Sequence, residues 1–340
     1  MLSRMLDINI TIMLASVLAG AAPVLLATLG ETITERAGIV NLSLDGSILL
    51  SAMTAFVVAY NTKSLVLGFA AAALVGGLVA TIVAIFSIYL GQSQVAVGFV
   101  LTLMTRDLAY FLGNSYARLQ GPQATPVPIP FLENFPFIGP IFFTHSLPVY
   151  ISLFAIFACW WYLFRTPMGL TLRSVGEHPA AAYARGVNPG MHQLWYTLCG
   201  GLLVGLAGAT FSLAIKPGWG RPQGAEGTGW IALALVIFGG WHPIRAAFGA
   251  YLFSFLQVIG IYLQGWLPSV PTQVFQVAPF PLMIFTLLTI SYAQKASERG
   301  LPAETARQTG RIERRARLKR LLRVLSGNAP AALGRPFRPE

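Results

Sequence analysis

The chain has 340 residues, of which 55% are apolar and only 10% charged, where an ordinary soluble domain carries about 25% charged residues. That balance excludes an ordinary water-soluble domain and points to lipid as the solvent. The formal charge of +11 is gathered at one end: residues 294–340 hold 12 Lys and Arg against 4 acids, leaving +3 for everything before them.

A hydrocarbon core of about 30 Å needs a helix of about 20 residues. Nine apolar blocks are long enough or nearly so: 8–29, 38–60, 64–90, 95–112, 147–164, 193–215, 229–246, 247–266 and 274–293, with 229–266 open to a different cut because Gly239, Gly240 and Pro243 interrupt it. Helices are required because backbone groups cannot stay unpaired in lipid, and the blocks lack the alternation of a membrane barrel. The predicted fold is therefore all-α, a polytopic bundle of about nine (8–10) transmembrane helices over residues 1–293, with a basic tail at 294–340. The first block has Arg4 ahead of it and Ala19, Gly20 and Ala21 inside it, as an export signal would. Its apolar run continues to residue 29, however, where a signal core of about 7 to 15 residues would have stopped.

Between the first two blocks, Gly30, Gly38, Asn41, Asp45 and Gly46 interrupt the pattern, so residues 31–46 read as a broken or re-entrant stretch. Asp45 is the one acid within the second block. A charge deep in a bilayer costs about 2.5 to 3.5 kcal/mol, so it must face the bundle or water. Asn41, four residues earlier, is expected on the same helical face. The two either line a solute pathway or clamp the broken helix from within. In the fourth block, the neighbours Arg106 and Asp107 point about 100° apart, and Arg106 lies near enough to the block's end to snorkel.

Residues 113–146 carry one Arg, one Glu and one His and are rich in Pro. Positive flanks stay in the cytoplasm, so the tail is expected inside. Segment 165–192, with Arg165, Arg173 and Arg185 against Glu177, is four blocks from the tail and is expected inside too. Residues 113–146 are then outside; five crossings before residue 165 put the N-terminus outside, Arg4 argues against that, and a re-entrant early block would reverse it.

The polar stretch "LRSVGEHPAAAYARGV", residues 172–187, contains a helix signature. Pro179 suits a first helical position and Gly186 the left-handed residue just past an end. The helix between them has about seven residues and is marginal alone, so it must pack against something. Its alanines, Ala181 and Ala182 among them, allow close approach, and Arg173, Glu177 and Arg185 offer charged anchors. Either it meets a cytoplasmic partner with a groove or it is a plain inner loop. Further on, Gly201, Gly205 and Gly208 have the spacing of close helix packing, and Trp230, Trp241 and Trp266 sit near block ends as interface anchors would. Cys159 and Cys199 fall inside apolar blocks as small core residues. The tail stretch "RIERRARLKRLLRVLSG" reads as a surface helix on anionic lipid or as a disordered basic tail. Without interleaved aromatics it is no nucleic-acid site.

The stretch 172–182 resembles the cytoplasmic signature of permease subunits of bacterial ABC importers for simple sugars and nucleosides, whose receptors are lipoproteins of the basic-membrane-protein kind. Leu172, Arg173, Val175, Gly176, Glu177, Pro179, Ala181 and Ala182 match it. "GETITERAGIVNLSLDGSILLSA" (30–52) and "GTGWIALALVIFGGWHPIRAAFGAYLF" (227–253) resemble two further motifs of that family. The resemblance implies that the polar segment holds a short cytoplasmic coupling helix seated in a separate ATPase, and that nucleotide-driven closure of two ATPases turns the cavity outward. It implies as partners two ATPase subunits, a second and often non-identical permease, an extracytoplasmic receptor lipoprotein and the membrane itself. It also implies a multi-pass protein of the bacterial inner membrane, C-terminus cytoplasmic, carrying nucleosides first and simple sugars next. Asp45 departs from the Glu usual there, and "WGRPQGAEGTGW" departs from the usual lead-in to the late motif.

No lysine follows a glycine, so the chain has no phosphate-cradling G-x-x-x-x-G-K loop,. The four histidines show no metal-ligand spacing, and no nucleophile with its base and orienter is visible, so no catalytic site, metal or cofactor is expected. The rival reading is a self-contained secondary transporter or channel that uses Asp45 as a proton or ion site.

Overall fold

The computed structural model describes residues 9–267 and 328–335, with isolated positions at 270, 271, 274, 277, 281, 284, 285 and 337. Its helices are α1 (Ile10–Arg36), α2 (Leu44–Thr62), α3 (Leu65–Ile88), α4 (Gln94–Gly113), α5 (Ile138–Phe142), α6 (Leu147–Arg165), α7 (Pro167–Glu177), α8 (Pro179–Ala184), α9 (Pro189–Thr210), α10 (Thr228–Phe238) and α11 (Pro243–Trp266). Five of them start on a side chain that accepts from otherwise unpaired N–H groups of the first turn: Asn9, Ser64, Ser93, Thr166 and Asn188,. Inside α1 the hydroxyls of Thr28 and Thr32 donate to carbonyls four residues back at 2.7 Å. Polar side chains thus ride in an apolar setting with their donors met.

Seven of these helices are long and apolar enough to cross a membrane: α1, α2, α3, α4, α6, α9 and α11. The expected span 229–246 is not among them. Its helix, α10, has 11 residues, about 16 Å at 1.5 Å per residue, and stops where Gly239 and Gly240 turn the chain into Pro243. The eight expected spans that fall on described residues are therefore seven long helices and one half-length helix. The ninth block, 274–293, lies largely outside the described residues, and so does the arginine-rich stretch 311–327.

The bundle has two distinct ends. One, the basic end, gathers Arg36, Gln94, Arg165, α7, α8 and the start of α9, since Gln94 takes the Val40 N–H and Gln193 reaches the Ala37 carbonyl. At the other, Asn61 meets the Tyr116 hydroxyl and the Arg118 N–H bonds Trp219 O. The loop 216–227 descends from that far end to the start of α10, and α10 completes the descent, so loop and half-helix together make one crossing.

Helices α1, α2 and α3 close around α9. A Cβ added at Gly76 of α3 would lie 2.5 Å from the Gly201 carbonyl oxygen and 2.6 Å from the Gly205 Cα. One added at Gly30 of α1 would lie 2.5 Å from the Gly200 carbonyl, and one at Gly208 would lie 2.8 Å from Ser51 of α2. Backbones in contact at this range leave no room for a methyl group. Where lipid tails are as apolar as leucine, such fit replaces the hydrophobic drive between helices.

Candidate functional site at the basic end

Between α1 and α2, residues 37–43 run without helix, and their backbone groups find partners elsewhere. The Ile39 N–H returns to Thr34 O at 3.2 Å, the Val40 N–H goes to Gln94 Oε1 at 2.8 Å, and the Asn41 N–H goes to Glu31 Oε1 at 2.9 Å. Thr102 of α4 donates to Leu42 O at 2.6 Å. Irregular backbone survives at this depth because buried side chains satisfy it. Asn41 is not in α2 and so does not share a helical face with Asp45 as expected. Its Oδ1 instead accepts from Ser43 N and Oγ, at 3.1 and 2.5 Å. Gly46 is where α2 meets α4, since a Cβ there would strike Thr102 and Thr105.

Asp45 stands in the first turn of α2 and is buried. Its Oδ1 accepts from the Gly229 N–H, 3.1 Å away, in the first turn of α10. Two helix N-termini thus meet inside the bundle with one carboxylate between them, the sign that their partial positive charge favours. Thr102 lies eight residues along α4 from its start, so this junction is about 12 Å in from the basic end,.

The far end of α10 reaches the basic end, where three stretches distant in sequence converge. The Trp241 indole N–H donates to the Glu35 carboxylate. Arg36 Nε donates to Trp241 O at 2.8 Å, and its Nη1 lies 3.9 Å from Glu177 Oε1 at the end of α7. Phe164, on the last turn of α6, packs among these side chains: the His242 ring stacks on it at 4.8 Å, and the guanidinium groups of Arg173 and Arg36 lie 5.0 and 6.0 Å from its centroid. Gly38 has a φ of +99°, which suits glycine. A Cβ at Gly176 would run into the Arg36 carbonyl. The residues Glu35, Arg36, Phe164, Glu177 and Trp241 form a clasp tying α1, α6, α7 and the α10–α11 turn together.

The polar segment itself is two helices. The 11-residue α7 was not expected from its sequence, while α8 spans six residues, close to the seven predicted, and Gly186 follows its end with φ +85°. Pro179 opens α8, Ala182 is buried, and Ala181, Tyr183, Ala184 and Arg185 are exposed. Of the three expected anchors, Arg173 and Glu177 turn toward the clasp and Arg185 faces outward. Trp241, expected as an interface anchor, is buried at 8% exposure, while Trp230 is 40% exposed. The clasp roles of Arg36 and Trp241 were not read from the sequence. Their signal lay in three short stretches, "ERAG", "VGE" and "GGW", that set charged or aromatic residues near a glycine in otherwise apolar surroundings.

At the opposite end, Asp107, Tyr110, Phe111, Asn114, Ser115 and Arg221 line an open cleft of about 690 Å³. Arg221 lies 4.8 Å over the Tyr110 ring, Trp219 flanks that ring at 5.7 Å, and the Tyr110 hydroxyl donates to Glu226. The N–H groups of Gln223 and Gly224 also donate to the Glu226 carboxylate, at 2.7 and 2.6 Å. Asp107 is 72% exposed and pairs with its neighbour Arg106 at 3.3 Å. Among the described residues no group of His, Cys, Asp and Glu is placed to hold a metal.

A family model described as branched-chain amino acid transport system / permease component matches residues 13–287. The chain belongs to this permease family. Its relatives include a protein named as a glucose ABC transporter permease, TsgC13, from Haloferax volcanii, 37% identical over 76% of this chain and 77% of its own length. They include the nucleoside ABC transporter permease NupC of Lactococcus lactis subsp. cremoris, 33% identical over 83% of this chain and 92% of its own. The guanosine ABC transporter permease NupQ of Bacillus subtilis is 32% identical over 86% and 96%. No solved structure matches the chain. The permease is a multi-pass membrane transport component and not an enzyme, and its family implies ATPase and substrate-binding partners.

Proposed function

We propose that this permease is the membrane subunit of an ATP-driven importer of nucleosides, with simple sugars as the next class, and that α8 is its coupling helix. The observation that carries this reading is the convergence of the clasp on the segment beneath α8. An ATPase that displaces α8 displaces Glu177, which is tied through Arg36 to Trp241. Trp241 follows α10, an 11-residue rod whose other end holds Asp45. Motion at the surface is thereby delivered about 12 Å into the bundle, to the junction of α10 with α2. Closure favours the outward cavity only insofar as the ATPase grips α8 better in that state. In this orientation the basic end, with α8, is cytoplasmic, the N-terminus is outside, and a second, non-identical permease and an external receptor lipoprotein complete the system.

The cleft supports the solute class. An aromatic plane and the exposed carboxylate of Asp107 at the receptor-facing end suit a flat or ring-shaped solute with hydroxyl groups. The relatives named for nucleosides and guanosine are covered over nine-tenths of their own lengths.

Purification of the tagged permease from membranes that also contain the ATPase, second permease and receptor tests the reading. The ATPase should co-purify and hydrolyse ATP faster with nucleoside-loaded receptor, and scrambling residues 179–186 should abolish both. Gradient-driven uptake by the lone chain in liposomes, with no ATPase, would establish the self-contained carrier instead. Competition between unlabelled nucleosides and hexoses for uptake settles which class binds better.

A further inference from the structure

Residues 328–335 lie beyond the span matched by the family, yet they are packed on the clasp. The Ala332 N–H donates to Gly176 O at 3.0 Å, the Gly334 N–H donates to Gly38 O at 3.0 Å, and the Ala331 N–H donates to Glu177 Oε2 at 3.1 Å. Pro330 and Ala332 are buried and Gly334 turns the chain with a φ of +76°. Glu177 thus serves two masters, with one oxygen toward Arg36 and the other holding the tail. Beyond the turn, the ring of Phe337 lies 5.7 Å from that of Tyr183 on α8.

We infer that residues 328–335 and Phe337 form a strap that the ATPase subunit contacts together with α8, so that the docking surface is built from two parts of the chain about 150 residues apart. This rests on the reading of α8 as the coupling helix. Three observations point to a shared surface. The strap is held by backbone hydrogen bonds to glycines, Gly38 and Gly176, where no side chain intervenes, so it is seated against the bundle and not merely near it. Tyr183, half exposed, is the bulky side chain on the outward side of α8, and Phe337 lies against it, so a partner that covers Tyr183 meets Phe337. Arg185, just past the end of α8, and Arg335 on the strap are both exposed and both positive. The partner that fits is therefore an ATPase whose groove combines an apolar floor for Ala181, Tyr183 and Phe337 with acidic rims for the two arginines.

Photo-crosslinking amino acids placed singly at positions 183 and 335 of the full chain, in the assembled complex, read the contact directly. Both positions should trap the ATPase subunit. In parallel, Gly334→Val, which opposes the left-handed turn, and Phe337→Ala should each lower the ATPase recovered at sub-saturating concentration by about three- to tenfold, the range of a few truncated interface side chains. Co-purification of the second permease should be unchanged, which separates strap loss from misfolding. Trapping from 183 but not from 335, with recovery unchanged in both variants, overturns the strap while leaving the coupling helix intact. Higher recovery in Gly334→Val would also overturn it, because the strap would then be shielding α8. Trapping from neither position overturns the coupling reading itself.

Discussion

Replacing Arg36 with Met removes the clasp's central cation while keeping an unbranched apolar stem of similar length. The side chain is only 13% exposed, and its Nε donates to Trp241 O at 2.8 Å. Losing a hydrogen bond from a charged group and leaving that carbonyl unmet costs about 1.5 to 3 kcal/mol. The pairing with Glu177 adds little, about 1 kcal/mol or less, because Glu177 is 42% exposed and the 3.9 Å separation is long,. The total, about 2 to 4 kcal/mol, should appear as earlier unfolding in dodecyl-maltoside micelles titrated with dodecyl sulfate, followed by tryptophan fluorescence. Glu177→Gln, which keeps an acceptor for the Ala331 N–H, should cost under about 1 kcal/mol by the same arithmetic. In the assembled transporter, Arg36→Met should also cut receptor-stimulated hydrolysis more than basal hydrolysis, since the link from α7 to α10 is gone. The reasoning fails if Arg36→Met unfolds with wild type, or if Glu177→Gln proves the more damaging change.

Asp45→Asn keeps an oxygen for the Gly229 N–H and should transport within about twofold of wild type, whereas Asp45→Ala leaves a buried donor unmet and should lose about 1 to 3 kcal/mol of stability. Abolished uptake in a stable Asn variant would instead mark Asp45 as an ion carrier. Tyr110→Leu removes the ring beneath Arg221 and should raise the KM for nucleoside uptake about tenfold, within the range that one stacked base supplies, while Tyr110→Phe keeps the ring and should leave KM nearly unaltered. Gly205→Val puts two methyls against the Ala72 carbonyl of α3 and should cost about 1 to 3 kcal/mol or more, read as loss of monodisperse protein on size-exclusion chromatography. His242, just ahead of α11, has its pKa pushed from 6.5 down to about 4 by burial and by the charges of Arg245 and Arg36. Below pH 6.5 the unfolded chain therefore binds the proton more readily, so stability should be full above that pH and fall between 6.5 and 4. His242→Phe should flatten this slope in unfolding titrations across that range.

The long spans were legible because hydropathy over about 20 residues is a strong signal and capping residues mark their starts. The interruption of 229–266 at Gly239, Gly240 and Pro243 was visible in the sequence, but hydropathy sees length only in sequence and did not show that the helix before it stops after 11 residues. The break near Asn41 and Asp45 was visible in its glycines. The partners of those residues were not, because Glu31, Gln94, Thr102 and Gly229 are brought there by tertiary packing alone. Periodicity also gave no warning of α7, whose charged residues read as loop until Arg173 is seen folded over Phe164. Trp241 illustrates the same limit in reverse: a tryptophan near a block's end is ordinarily an interface anchor, and only the nearness of Glu35 in space turns it into a donor inside the clasp.

One consequence of the tail's seat concerns biosynthesis. Residues 328–335 leave the ribosome after every helix described here, so the carbonyls of Gly38 and Gly176 gain their partners in the strap only after those helices have been made. A nascent chain stalled before that point has those helices but an unfinished surface at the basic end, which gives the cell a physical basis for telling chains that carry the strap from chains that lack it.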